Sequence, residues 1–78
     1  MTEYPIRNAR TGIYTWTPGE TMRAALIAHE NDRRLAAGEL PLSRLAKIGR
    51  EDTGASVLRA WIGDSEIYGR RENVVRES

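Results

Sequence analysis

Cysteine is absent from this chain of 78 residues, and histidine occurs once, as His29. Without cysteine, disulfides and thiolate metal sites are excluded, and a reducing compartment is the natural setting. No apolar run approaches the roughly 20 residues of a membrane-spanning helix. The first residues, MTEYPIRN, also lack the apolar core of a signal peptide. The sequence therefore predicts a cytoplasmic protein.

An excess of charge of either sign is missing as well. Twelve lysines and arginines stand against 11 acidic residues, which gives a net charge of +1. Dedicated nucleic-acid binders usually carry a basic excess, so the balance argues against that class. All the basic residues except Lys47 are arginine, the side chain suited to bidentate contacts with phosphate and guanine. Charge alone therefore leaves nucleic-acid binding open without favouring it.

Side chains that could carry out catalysis are scarce. His29 falls on an apolar stripe of a predicted helix, which is typical of a histidine at the edge of a core. Glu30 and Asp32 are two residues apart and so point to different faces of a helix, whereas a metal site needs several converging ligands. Glycine-rich phosphate loops and nucleophile-elbow motifs are absent. We predict no enzyme activity, no metal and no cofactor.

The length of the chain limits its architecture to one domain. A chain of this size buries only about 60% of the surface that its unfolded form exposes, so its stability is expected to be small. We predict a single domain over residues 1–78. Residues 1–17 would form an arm or hairpin, 18–69 a helical core, and 70–78 a tail that adds a helical turn or frays.

The first part of the chain has β character. Residues 4–16, YPIRNARTGIYTW, are rich in strand-forming types on both sides of a polar centre. Asn8 to Gly12 supply turn chemistry between the two sides. This pattern predicts a small hairpin, with an irregular arm pinned on the helices as the alternative.

The stretch TPGE carries the start signals of a helix. Thr17 suits the N-cap, Pro18 the first helical position, and Glu20 the third position of a capping box. We expect a helix over residues 18–37, and Gly38 is placed to end it in a left-handed conformation.

This predicted helix is apolar on two sides. Its stronger stripe consists of Met22, Ala25, Leu26, His29 and Ala36. Its weaker stripe consists of Ala24, Ile27, Ala28 and Leu35. Such a helix usually lies between partners, which the hairpin and later helices, or a second copy in a homodimer, would supply. Glu30 and Arg34 are spaced to form an ion pair along it.

Two further helices are predicted over residues 42–50 and 53–62, because apolar side chains recur there at helical spacing around a polar break. On this helical pattern Trp61 is expected in the core. Glu66–Tyr68 looks extended and is expected beside Tyr14–Trp16 as a minimal wing. The predicted fold class is mainly α, a three-helix domain with a helix-turn-helix-like pair and an N-terminal β-hairpin or extended arm.

Residues 42–71 carry a resemblance to known families. LAKIGREDTGASVLRAWIGD resembles the helix-turn-helix of phage-repressor (Cro/CI-like) regulators, with its Leu-Ala pair, turn glycine and late tryptophan. WIGDSEIYGRR is similar to the winged group of excisionase and MerR-like proteins. The resemblance implies a small DNA-binding regulator of phage or plasmid origin whose partner is duplex DNA.

In a helix-turn-helix the exposed face of the second helix reads the major groove and the first helix touches phosphates. On that geometry the DNA-binding residues would be Arg44, Lys47, Arg50, Thr53, Ser56, Arg59, Arg70 and Arg71.

The alternative is a small protein-binding accessory or inhibitor protein, of phage or plasmid type, that docks on a host protein complex. Tyrosine, tryptophan and arginine dominate binding hot spots. The candidate anchors of this alternative are Tyr4, Tyr14, Trp16 and Tyr68. The sequence leaves the choice between DNA and protein open.

Overall fold

Six β-strands and one α-helix form the part of the chain that the computed structural model describes, residues 1–54 and 56–77. The strands are β1 (Thr2–Asn8), β2 (Tyr14–Pro18), β3 (Gly49–Thr53), β4 (Val57–Ile62), β5 (Ser65–Arg70) and β6 (Arg76–Glu77). Helix α1 (Met22–Ala36) lies between β2 and β3 in the chain. All pairings between strands are antiparallel, and the sheet has the order β2-β1-β5-β4-β3, with β6 also on β1.

The fold is therefore mostly β, and the predicted three-helix domain is wrong. Residues 53–54 and 56–62 form the end of β3, a turn and β4 instead of a helix. In β4, Leu58, Ala60 and Ile62 are buried while the residues between them are not, which is the two-residue alternation of a strand with one buried face. The same apolar residues also fit a helical stripe, and pairing with β3 and β5 decides between the two periods.

Residues 42–50 are also not helical. Most of this stretch is a loop, and β3 begins at Gly49. The side-chain amide of Asn31 on α1 anchors the loop, because its Oδ1 accepts from the backbone N–H of Leu42 at 2.6 Å and its Nδ2 donates to the carbonyl of Leu42 at 3.2 Å. These tertiary bonds pair both backbone polar groups of Leu42 outside any helix.

The N-terminal hairpin is confirmed. β1 and β2 pair over five residues each, and Asn8 organises the turn through its Oδ1, which accepts from the backbone N–H of Arg10 at 2.9 Å. Gly12 has φ 77°, the left-handed conformation that favours glycine.

The first predicted helix is also present, but it begins later than expected. Thr17 and Pro18 belong to β2, and Thr21 is the N-cap, whose side chain accepts from the N–H of Ala24 at 3.1 Å. Gly38 follows the helix with φ 75°, as predicted. In the part of the chain that the structure describes, no helix has both the length and the apolar character needed to cross a membrane.

Glu66–Tyr68 is a strand, as predicted, but not beside Tyr14–Trp16. β5 pairs with β4 and β1, so β1 separates it from β2. β5 pairs with β1 at Arg7 and Asn8, whereas β6 pairs with β1 at Thr2 and Glu3. Pro5 lies in the gap and has no N–H to donate, which explains why neither strand pairs there.

The chain between β5 and β6 contains a helical turn, one of the two outcomes predicted for residues 70–78. It makes a short 3₁₀ turn, Arg71–Asn73, and then places Val74 in the core.

Helix α1 covers one face of the sheet, and the core lies between these two layers. The fully or almost fully buried apolar residues are Ile6, Ala25, Leu26, Ile27, Leu58, Ala60, Ile62, Ile67 and Val74. Because neighbouring residues of a strand point to opposite faces, the other face of the sheet is left without a covering layer among the described residues.

Candidate binding surface on the open sheet face

The uncovered face of the sheet carries an unusual concentration of aromatic and charged side chains. We call it the open sheet face and define it by the strand residues that alternate with the buried ones. Its aromatic and charged members are Glu3, Arg7, Tyr14, Trp16, Glu51, Arg59, Trp61, Glu66, Tyr68, Arg70 and Arg76.

One row of cross-strand neighbours runs across the sheet. Tyr14 of β2 pairs with Arg7 of β1, Arg7 with Glu66 of β5, Glu66 with Trp61 of β4, and Trp61 with Gly49 of β3. Directly opposite residues on one face lie close enough for their side chains to interact. The row therefore presents two aromatic rings around a central pair of opposite charges.

Glu66 is the charge centre of this row. Nη1 of Arg7 lies 3.8 Å from its Oε1, and Nη2 of Arg59 lies 3.1 Å from its Oε2. The Nε of Arg59 also donates to Oε2 at 3.2 Å. One carboxylate thus accepts two hydrogen bonds from Arg59 and forms a longer ion pair with Arg7.

Both tryptophans are stacked against arginine. The guanidinium carbon of Arg59 lies 4.4 Å from the ring centroid of Trp61, and that of Arg76 lies 4.1 Å from that of Trp16. These distances are within the range of cation–π attraction. Arg76 also donates from Nε to Glu3 at 2.9 Å, so each stacked arginine is paired with a carboxylate as well.

Gly49 makes room for Trp61. A Cβ at this position would collide with the indole ring, which lies across the backbone of β3. The ring therefore lies flat over the edge strand, and Trp61 is partly buried on this face rather than in the core as predicted.

The two tyrosines and Trp16 remain accessible. Tyr14 and Tyr68 are each 59% exposed, and Trp16 is 37% exposed. These three predicted protein-binding residues share the open sheet face. Tyr4, the fourth, lies on β1 with its side chain on the opposite face of the sheet, where it packs against the core.

The predicted DNA-binding residues do not form one surface, and the helix that was to present them does not exist. Only Arg59 and Arg70 lie on the open sheet face. Lys47 is in the loop before β3, and Ser56 is in the turn before β4. The side chain of Thr53 lies outside the described part of the structure.

The other arginines of that set lie elsewhere in the structure. Arg50 and Arg71 both form ion pairs with Asp52, at 3.3 Å and 3.0 Å. Arg44 lies beside α1. The helix-turn-helix interpretation is therefore wrong, because β3, β4 and β5 occupy the residues that it assigned to helices and wing.

Arg7, Trp61, Glu66 and Arg76 belong to the open sheet face but were not predicted as site residues. Their contacts join strands that are far apart in the chain, such as Trp16 with Arg76. Period-two alternation in β4 and β5 is the sequence signal that would have placed Trp61 and Glu66 on one face.

Glu30 is a buried carboxylate on the opposite side of the sheet. Its side chain is 0% exposed. It accepts from Arg33 at 3.0 and 2.9 Å, from Nε of Arg34 at 2.8 Å, and from the backbone N–H of Asp64 at 3.2 Å. The predicted Glu30–Arg34 pair is thus confirmed as one bond of a network that ties α1 to the β4–β5 turn.

Ser65 and His29 extend this network. The Oγ of Ser65 donates its only proton to Oε1 of Glu30 at 3.0 Å. The contact of 2.6 Å between Oγ and Nδ1 of His29 therefore has the imidazole N–H as donor, which makes His29 the neutral Nδ1–H tautomer. A serine that already donates to a carboxylate is not activated by the histidine, so the cluster is structural.

Burial alone would raise the pKa of Glu30, but the hydrogen bonds from Arg33, Arg34 and Ser65 outweigh it and lower the pKa to about 2. Burial lowers the pKa of His29 from its ordinary value, despite the nearby Glu30 carboxylate. Both groups therefore bind a proton more weakly in the folded state than in the unfolded state. The free energy of unfolding consequently rises with pH over the range in which each group titrates.

This predicts a two-step loss of stability in acid. The free energy of unfolding should fall slightly as the pH drops below 6.5, where unfolded His29 gains a proton. It should fall by about 3 kcal/mol more from roughly pH 5 downwards, as unfolded Glu30 gains one. Urea unfolding at about pH 7, 5 and 3 measures the first step and roughly 2 kcal/mol of the second, which is complete only below the folded-state pKa of about 2.

His29→Asn is the control for the first step, because its side-chain amide can still donate to Ser65 but does not titrate. The variant should keep the acid step and lose the one near neutrality. A free energy of unfolding that stays constant below pH 5 would contradict the assignment to Glu30.

Comparison with protein-family models, with curated proteins and with solved structures finds no match to this chain. Among the described residues, no three His, Asp or Glu side chains converge in a way that could hold a metal ion. The functional argument therefore rests on the chemistry of the surfaces.

Proposed function

We propose that this chain is a small protein-binding module that attaches to a partner through the open sheet face and performs no catalysis itself. The observation that carries the proposal is the group of accessible rings, Tyr14, Trp16 and Tyr68, around arginines that are already held in place. Aromatic residues and arginine are the residue types that dominate binding hot spots.

Prior positioning of the arginines favours binding. Arg59 is held by Glu66, and Arg76 is held by Glu3 and Trp16, while Arg7 makes a longer ion pair with Glu66. Side chains that are ordered before association lose less conformational entropy when the complex forms. A rigid, mixed-charge aromatic surface is what a protein partner with its own polar and apolar groups can match.

The two tryptophans are poorly suited to stack on the bases of single-stranded nucleic acid. Base-stacking platforms need free ring faces beside cations that track the phosphates. Here Arg59 and Arg76 already cover Trp61 and Trp16, and carboxylates pair with both arginines. The lack of cysteine makes the cytoplasm the compartment in which we propose that the module acts.

The test is quantitative affinity capture from cells that express the protein at its natural level. We expect a specific partner whose recovery falls at least about tenfold with the double substitution Tyr14→Ala, Tyr68→Ala, because two hot-spot residues together contribute more than about 1.4 kcal/mol. Both side chains are well exposed, so the free energy of unfolding should change by less than about 0.5 kcal/mol each.

Leu40→Ala is the matched control, since Leu40 is 85% exposed and lies in the loop after α1, away from the open sheet face. It should leave recovery unchanged. Equal recovery with all three proteins would refute the proposal. Recovery that disappears on nuclease treatment would replace the protein partner with a nucleic acid.

A further inference from the structure

A second surface, independent of the open sheet face, lies on the outer side of α1. The loop after the helix turns back along it and leaves a cavity of about 430 Å³ between the two. The lining residues are Arg23, Ala24, Ile27, Ala28, Arg44 and Leu45. This volume falls within the range of small-molecule sites.

The cavity is held open by two anchors. Nη2 of Arg23 donates to the carbonyl oxygens of Arg44 and Ala46, both at 2.8 Å. At the other end of the loop, the side-chain amide of Asn31 exchanges two hydrogen bonds with the backbone of Leu42. A site that is fixed before the ligand arrives binds at a lower entropic cost.

The floor and walls are apolar. Ile27 is 6% exposed and forms part of the core, whereas Leu45 is 77% exposed and stands at the rim. The alanines at positions 24 and 28 are one turn apart on α1 and leave space above the helix backbone. The short side chains explain why this weaker stripe of the helix forms a groove.

Two uncompensated cations line the same cavity. Among the described residues, eight arginines form ion pairs with carboxylates, namely Arg7, Arg10, Arg33, Arg34, Arg50, Arg59, Arg71 and Arg76. The arginines without such a pair there are Arg23, Arg44 and Arg70, and the first two both line the cavity. No acidic side chain lines it.

We infer that this cavity binds a small carboxylic acid with an apolar chain. The carboxylate pairs with the guanidinium of Arg44, next to the positive charge of Arg23, and the chain lies over Ala24, Ala28 and Ile27. Guanidinium matches a carboxylate in both charge and planar geometry. An apolar chain removes the exposed apolar surface of Leu45 from water.

The experiment titrates octanoate into the protein below its micelle-forming concentration and follows backbone amide resonances. We expect saturable shifts at Ala24, Ile27, Ala28 and Leu45, and none with octylammonium, which has the same chain and the opposite charge. Arg44→Gln should weaken octanoate binding about fivefold or more, the effect of losing one charge-assisted pair.

Lys47→Gln is the matched control, because it removes one positive charge from the same loop outside the cavity lining. It should change affinity by less than about twofold. Ala28→Leu, which fills the groove with a good helix former, should abolish binding while the circular dichroism spectrum is retained. Non-saturable shifts, equal binding of octylammonium, or equal effects of Arg44→Gln and Lys47→Gln would each overturn the inference.

Discussion

Glu30→Gln is expected to lower the free energy of unfolding by about 3–5 kcal/mol, the usual effect of removing one partner from a buried ion pair. The carboxylate is fully buried and accepts hydrogen bonds from two guanidinium groups, one hydroxyl and one backbone N–H. A neutral amide offers one acceptor oxygen, and its NH2 group would face guanidinium and backbone N–H groups that only donate. Arg33, whose side chain is 11% exposed, would keep only its longer contacts with the carboxylates of Glu39 at 3.4 Å and Asp64 at 3.6 Å.

The consequence for the whole fold is large because a domain of this size has little stability to lose. At about 0.05–0.15 kcal/mol per residue, the wild-type chain should unfold with roughly 4–12 kcal/mol. The variant would then be partly unfolded at room temperature or have a transition midpoint lowered by well over 10 °C. Thermal unfolding followed by circular dichroism measures the difference.

Glu39→Gln provides the matched control. Glu39 also pairs with Arg33, at 3.4 Å, but its side chain is 44% exposed. Exposed ion pairs contribute only about 0–1 kcal/mol, so this variant should be close to the wild type in stability. If both variants lost the same small amount, burial of Glu30 would not be the source of its importance.

Local chemistry was enough to predict the N-terminal hairpin and the helix. The turn at Asn8 and Gly12 depends on side chains that act on their own backbone, and so does the left-handed Gly38 after α1. The start of α1 was misplaced because Thr17 and Thr21 are both suitable caps. Pairing of β2 with β1 takes Thr17 away from the helix.

The segment VLRAWI could not be assigned from its own composition. Its apolar residues satisfy both a helical stripe and a two-residue alternation. The eight residues between Gly54 and Gly63 are too few for a typical helix and enough for a strand. The following Gly63-Asp64 is a two-residue hairpin connection, so the turn chemistry gave a better indication than the apolar pattern.

The exposed aromatic residues of the candidate site could be predicted from the sequence, but its charged residues could not. Tyr14, Trp16 and Tyr68 stand out as large residues in polar surroundings. Glu66 and Arg76 acquire their importance only through sheet register, since Arg76 reaches Trp16 across a sequence distance that no local pattern spans. The burial of Glu30 has the same origin, because half of its partners come from the β4–β5 turn.

Gly63→Ala is expected to have the second large effect, lowering the free energy of unfolding by about 2–4 kcal/mol. Gly63 has φ 54°, and Asp64 does not have a positive φ. This is the pattern of a II′ hairpin turn, with glycine at the first central position. A Cβ there would also collide with the carboxylate of Glu30, so the substitution would push the buried charge away from its donors.

Gly38→Ala separates these two causes, because Gly38 has φ 75° and a Cβ there would meet nothing within 4 Å. That variant should lose only the conformational term, about 1–2 kcal/mol. Asparagine tolerates a positive φ better than alanine, so Gly38→Asn should recover part of the loss. Gly63→Asn should not, since it still places a Cβ against Glu30. Urea unfolding of the four variants measures the comparison. If asparagine recovered stability at both positions, the collision between a Cβ at position 63 and the Glu30 carboxylate would not be the cause of the larger loss.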